Sequence, residues 1–185
     1  MSDDAIRGAS SEEQIIEAAR RNNMDLFNSV EADYRDKPQE FIGVINEARD
    51  ATGDSALHLC CKYGCYEVMD VILDFQGINL EPKNPMTGDT PMHYAAYYSF
   101  QEPDYALFLI EQLIEIGADP TVKNNDGLKP VDIVGGSNEK LKKALQSAEY
   151  AMSAQLAIEI VDDEGEDDKE EEEDNKEDEA LEQSK

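Results

Sequence analysis

Tryptophan is absent from this sequence of 185 residues, histidine occurs only twice, and lysine and arginine together number 16 against 43 aspartates and glutamates. The shortage of cations leaves a formal net charge of −27 at pH 7. Such a field repels phosphate-coated nucleic acid, whose binding depends on releasing counterions to a basic surface, so direct DNA or RNA binding is disfavoured. No run approaches the roughly 18 to 20 apolar residues that a bilayer span requires. The opening Met1-Ser2-Asp3-Asp4 has neither the basic residues nor the apolar stretch of a secretion signal. The expectation is a protein of the cytoplasm, with the nucleus also compatible, and no membrane partner.

Two histidines also leave little material for proton transfer. No glycine-rich phosphate loop, no G-x-S-x-G turn and no H-E-x-x-H segment occurs in the sequence. Neither an enzyme nor a cofactor is expected, and a hydrolase or metal site is kept only as a weak alternative. Cys60, Cys61 and Cys65 are an odd number of thiols crowded into one segment, which suits a reducing compartment rather than a disulfide framework. A zinc site would have to recruit His58. Adjacent helical residues diverge by about 100° in direction, however, and the spacing is not that of a C-x-x-C ligand pair, so buried small side chains are the expectation.

The charge is distributed unevenly. Asp162 to Lys185 holds fifteen carboxylates against three lysines, a net of −12, so the first 161 residues carry the remaining −15. The tail repels itself and has almost no apolar surface to bury, so residues 161–185 are expected to be disordered. The part that folds is acidic in its own right.

What is present in quantity is internal repetition. Gly53-Asp-Ser-Ala-Leu-His58-Leu-Cys-Cys61 aligns with Gly88-Asp-Thr-Pro-Met-His93-Tyr-Ala-Ala96 at an offset of 35, and a weaker copy, Gly127-Leu-Lys-Pro-Val-Asp132-Ile-Val134, follows at 39. Ser55 and Thr90 are placed to cap a helix, and Pro91 fits the first helical position, where its missing N–H costs nothing. Gly53, Gly88 and Gly127 precede the caps where a hairpin turn needs positive φ. Spacing and motif resemble the ankyrin repeat, whose unit is about 33 residues. The layout is similar to small fungal intracellular ankyrin proteins with an acidic C-terminal tail.

That resemblance implies an all-α ankyrin-repeat solenoid of about four helix-turn-helix units with β-hairpin loops. A flexible stretch 1–10 would precede a domain 11–160, with units near 11–48, 49–83, 84–123 and 124–160. Ile15 to Phe27 looks like a degenerate first unit without the capping tetrapeptide, with Asn22 where glycine would close its helix. Val68, Met69, Val71, Ile72 and Leu73 and, one unit on, Leu107, Leu109, Ile110, Leu113, Ile114 and Ile116 mark the apolar faces of the second helices. Leu141, Leu145, Ala148, Met152 and Leu156 recur at helical spacing, so 139–160 is expected to form one amphipathic helix sealing the stack. His93 to Gly117 is five residues longer than His58 to Gly77, which places an insertion loop at Ser99–Tyr105. The joint Tyr34–Ala48, with Lys37-Pro38, is given no role.

Members of the family bind proteins along the hairpin tips and the outer ends of the first helices. Aligned on the repeat, those positions are Ala51, Thr52, Asp54, Lys62 and Tyr63, then Met86, Thr87, Asp89, Tyr97 and Tyr98, then Asn125, Asp126 and Leu128. His58 and His93 are expected to bond across neighbouring hairpins. The function implied is non-catalytic binding of another protein by a monomer. The alternative is an escort of a basic protein, ribosomal or histone-like, in which the acidic tail takes part.

Overall fold

The computed structural model describes residues 8–136 and 138–163, with side chains to Ala154. The expected flexible start and acidic tail fall mainly outside them. The chain divides into two units, Met1–Tyr150 and Ala151–Lys185, and of the second the described part is helical. In order, the helices are α1 (Ser11–Arg21), α2 (Met24–Asp33), α3 (Pro38–Glu47), α4 (Ala56–Tyr63), α5 (Tyr66–Leu73), α6 (Pro91–Tyr98), α7 (Pro103–Glu115), α8 (Pro130–Val134) and α9 (Glu139–Asp163). No strand occurs among the described residues: the hairpins are tight turns, closed by Asp50 N–H to the Asp54 carbonyl and Asn84 N–H to the Asp89 carbonyl, each at 2.9 Å.

Local chemistry sets the helix boundaries. Ser10 Oγ accepts from Glu13 N–H at 3.2 Å while Glu13 Oε2 accepts from Ser10 N–H at 2.8 Å, a reciprocal cap that the first unit was not expected to possess. α4 ends at Gly64 (φ 68°) and α1 at Asn22 (φ 52°), both left-handed, as the repeat alignment required. Ser99 does not copy them. It stays right-handed at φ −60°, and the chain leaves α6 through a short turn before Pro103 opens α7.

The first helices α1, α4, α6 and α8 stack in series, and each of α1, α4 and α6 also packs against its own second helix. Close approach is possible because small side chains line the stack: Ala18-Ala19, Cys60-Cys61 and Ala95-Ala96 are fully buried, and Val134 takes the matching place in α8. The larger apolar residues come from the second helices, with Met69, Ile72, Leu109, Ile110 and Leu113 all buried. Each such side chain contributes about 1.5 to 3 kcal/mol relative to exposure.

Two irregular stretches take definite form. The joint after Tyr34 is a helix, α3, begun by Pro38 at its first turn and burying Phe41, Ile42 and Ile45; Phe41 meets Phe27 edge-on with ring centroids 5.7 Å apart. The extra residues of the third unit lie where expected, at Ser99–Tyr105: Ser99–Glu102 makes a longer turn than Gly64-Cys65 of the second unit, and Pro103–Tyr105 adds a turn to the start of α7. Phe100 to Tyr105 are exposed, so the insertion is a surface feature, helical in its second half. α9 begins where expected and runs to Asp163, with Leu141 and Leu145 fully buried in the core.

One carboxyl group sits poorly in this framework. Glu81 Oε1 accepts the Asp119 N–H at 2.8 Å, yet Oε2 is buried without a partner among the described residues. Burial, joined by the nearby Asp119 carboxylate, pushes its pKa up to about 7. A carboxyl raised in the folded state favours the protonated form, so its stabilisation is complete below about pH 4.5 and is lost as pH rises through 7. Glu81→Gln should therefore raise the melting temperature at pH 8 and leave it unchanged at pH 4.5. Parallel thermal melts of both proteins at the two pH values test this, and an equal shift at both would reject it.

Gly88 gives the second test. It sits at φ 71°, and a Cβ there would lie 2.4 Å from Asn125 Oδ1 and 2.8 Å from the Asn125 backbone nitrogen. Gly88→Val should cost at least about 1 to 3 kcal/mol from backbone strain. Because units couple through their neighbours, α6 to α8 should lose helicity together. An unchanged circular dichroism melt would contradict this.

Candidate partner-binding face

A buried polar relay positions the hairpins and, through them, the face they present. Asn84 Nδ2 donates to Asp54 Oδ1 at 2.6 Å and to the Thr52 carbonyl at 3.0 Å, while its Oδ1 accepts the N–H groups of Met86 and Thr87. One unit on, Asn124 Nδ2 donates to Asp89 Oδ1 at 2.8 Å and its Oδ1 accepts from Asp126 and Leu128. Each asparagine thus ties its own turn to the carboxylate of the turn before.

The histidines run beside this relay in the opposite direction. His58 Nδ1 accepts the Ser55 N–H at 3.1 Å, which leaves Nε2 protonated and donating to the Asp89 carbonyl at 2.9 Å. His93 repeats the pattern with Thr90 and the Leu128 carbonyl. Burial holds both imidazoles below their usual pKa, in keeping with neutral rings. With both ring nitrogens committed, neither is placed to act as a base, and His58 is not placed to join the buried thiols of Cys60, Cys61 and Cys65.

The aligned surface positions separate into two groups. Ala51, Thr52, Met86, Thr87, Asn125, Asp126 and Leu128 are exposed at the turns, with Met86 at 77 %, and Tyr63 and Tyr97 are exposed at the ends of α4 and α6. Asp54 and Asp89 are not available. They are 1 % and 5 % exposed, because the amide of the next asparagine needs a desolvated carboxylate to hold the turn. Tyr98 is half-buried, its ring lying over Gly64 and meeting Tyr105 edge-on at 6.3 Å.

Lys62 is anchored from beneath. Its Nζ lies 3.1 Å from Asp54 Oδ2 and over the Tyr94 and Tyr63 rings at 5.4 and 5.9 Å. Burial disfavours the ionised form of Asp54, but hydrogen bonds from Tyr94, Asn84 and Lys62 outweigh it and lower its pKa. Lys62, Asp89, Tyr94, Tyr97, Tyr98 and Gln101 together line a groove of about 320 Å³. Tyr94 and Gln101 were missed in the sequence. The signal for Tyr94 was there: it replaces Leu59 of the preceding unit, and a phenol inside a repeat core needs a hydrogen-bond partner, here Asp54.

Comparison with known proteins agrees with this architecture. A family model for ankyrin repeats, in 3 copies, matches residues 15–124. An ankyrin repeat-containing protein of Saccharomyces cerevisiae is 46% identical over 149 residues, covering 80% of this chain and 82% of its own length. An ankyrin repeat protein of Acanthamoeba polyphaga mimivirus is 32% identical over 83 residues, 43% of this chain and 10% of its own. An alpha-latroinsectotoxin of Latrodectus tredecimguttatus is 29% identical over 101 residues, 55% of this chain but only 6% of the toxin. Stacked helix pairs joined by asparagine-tied turns, and a repeat match across most of the stack, show that the chain belongs to the ankyrin-repeat family, a family of protein–protein interaction modules.

Proposed function

We propose that this chain is a non-catalytic, monomeric binding module that holds a partner protein against the turn tips and the ends of α4 and α6. The observation that carries the reading is the aligned exposure of Tyr63, Met86 and Tyr97 above a buried polar relay that fixes their backbone. Aromatic side chains on a rigid support supply contact area at low entropic cost, a flexible methionine adapts its shape to a partner, and truncating a central aromatic commonly costs about 2 kcal/mol or more. Thr87, Asn125 and Asp126 supply the polar rim. Lys62 acts from within, by holding the rings in place. Buried thiols at Cys60, Cys61 and Cys65 suit a reducing compartment, so we place the protein in the cytoplasm, with the nucleus also compatible.

The partner's chemistry follows from charge. A folded part carrying −15 and a tail carrying −12 favour a basic client, and an escort of such a protein is the finer reading. The tail would speed encounter while the stack supplies specificity.

Replacing Tyr63 and Tyr97 together by alanine should weaken capture of the partner at least about tenfold, or about 1.4 kcal/mol, with the melting temperature nearly unchanged. Affinity purification with wild-type and variant baits, followed by melts of both, checks this. A large fall in melting temperature would place the two rings in the core instead.

Ending the chain after Asp163 removes thirteen carboxylates and three lysines, a net of −10, while sparing all of α9. Under the escort reading, association with the purified partner should slow and its salt dependence should flatten, because steering by surface charge acts on the on-rate and is screened within about 8 to 10 Å at physiological ionic strength. Titration of both proteins at two salt concentrations decides. Identical slopes would make the tail a passive solubility device.

A further inference from the structure

At the corner where α6 turns into α7, four aromatic rings form a continuous ladder. Tyr98 meets Tyr105 at 6.3 Å, Tyr105 meets Phe108 at 5.8 Å and Phe108 meets Tyr66 at 4.6 Å. Tyr105 is exposed, at 38 %, and the other rings are half-buried, so each ring of the ladder keeps part of its surface open to solvent. Gly64 admits it: a Cβ there would lie 2.7 Å from the Tyr98 hydroxyl.

Carboxylate-bearing residues adjoin the rings: Glu67 follows Tyr66 in α5, and the Glu102 N–H donates to the Tyr98 carbonyl at 3.1 Å. The Tyr98 phenol is pushed to higher pKa by burial and then by Glu102, that of Tyr105 by burial and also by Glu67, and Tyr66 donates its hydroxyl to Asp70 at 2.7 Å. None of Glu67, Asp70 or Glu102 forms an ion pair with a described lysine or arginine. From Tyr63 to Glu115 the sequence has nine carboxylates and one cation, Lys83, whose ammonium donates to the Lys123 carbonyl.

The same protein shows what such a constellation takes. At the neighbouring groove a carboxylate, Asp54, and the rings of Tyr63 and Tyr94 surround a cation, Lys62, supplied by the chain itself. The ladder repeats the combination of rings and carboxylates with no cation of its own among the described residues. A guanidinium fits it better than an ammonium, because the planar group stacks on a ring face while its N–H fork reaches a carboxylate beside it, and it is more weakly hydrated.

We propose that the Tyr98–Tyr105–Phe108–Tyr66 ladder, with Glu67 and Glu102, receives arginine side chains from a basic segment of a partner protein. This rests on the binding-module reading above and extends it: the ladder adjoins the end of α6 at Tyr98 and continues away from the turn tips onto α7 and α5. Arginine selectivity here comes from ring stacking, whereas the general acidity of the chain attracts lysine and arginine alike.

The probe is a fluorescent peptide of alternating arginine and glycine, compared with the same peptide carrying lysine at every arginine, each titrated against the full chain. The arginine peptide should bind about fivefold more tightly, in line with a solvent-exposed cation–π contact. Tyr105→Leu keeps apolar volume but removes the ring, and it should reduce that preference to less than about twofold with the melting curve unchanged. Glu67→Gln tests the site without touching the ladder's packing and should weaken the arginine peptide more than the lysine one. Equal affinities in the wild-type chain, or a preference that survives both substitutions, would overturn the proposal. So would sedimentation showing a dimer that Tyr105→Leu dissociates, since the ladder would then be covered by a second copy. An arginine preference that persists when Tyr63→Ala and Tyr97→Ala abolish partner capture, or the converse, separates failure of one reading from failure of the other.

Discussion

A carboxylate taken out of water and shared with the amide of the next turn governs how the units are spaced. Asp54 with Asn84, and Asp89 with Asn124, are buried pairs whose separation leaves no latitude: the amide must reach back to one turn while its oxygen closes another. An unpaired carboxylate at either place would carry a desolvation penalty of several kcal/mol. Stacking of the small residues on α1, α4, α6 and α8 supplies apolar burial but little directional information. The relay sets register, the histidines reinforce it through the next carbonyl, and the exposed rings of Tyr63 and Tyr97 inherit their positions from both.

The ends of the stack show the same logic through its exceptions. The second unit's turn has no carboxylate-bearing turn before it, and there an aspartate replaces the asparagine: Asp50 closes its own turn and pairs with Arg20 of α1 at 3.1 Å. In the last unit no carbonyl follows for a histidine to reach. Asp132 stands in that place, and its side chain accepts the Lys129 N–H at 2.9 Å. What looked in the sequence like decay of the third copy is a substitution fitted to a terminus.

Much of this was legible in the residues. The offset of 35, the caps at Ser55 and Thr90, and the paired small residues at Cys60-Cys61 and Ala95-Ala96 located the first helices of the central units. α3 was equally legible, since Pro38 opens it and Phe41, Ile42 and Ile45 lie on one helical face, but a joint with no repeat counterpart drew no attention. The place of the insertion at Ser99–Tyr105 was legible too, but not that its second half is the first turn of α7, because a residue count between two landmarks does not fix secondary structure. The burial of Asp89 depends on Asn124, 35 residues away, and no local pattern distinguishes it from an exposed turn aspartate. Tyr98 aligns with the exposed Tyr63, 35 residues earlier, which points to the surface. The absence of a side chain at Gly64 is what lets the ring fold down.

Asp50 and Asp132 make the array a polymer with distinct end groups. A copy of the third unit set beside the original would meet asparagine and histidine partners of its own kind on both sides. A unit joined next to Asp50 or Asp132 would instead meet a side chain already bonded within its own turn.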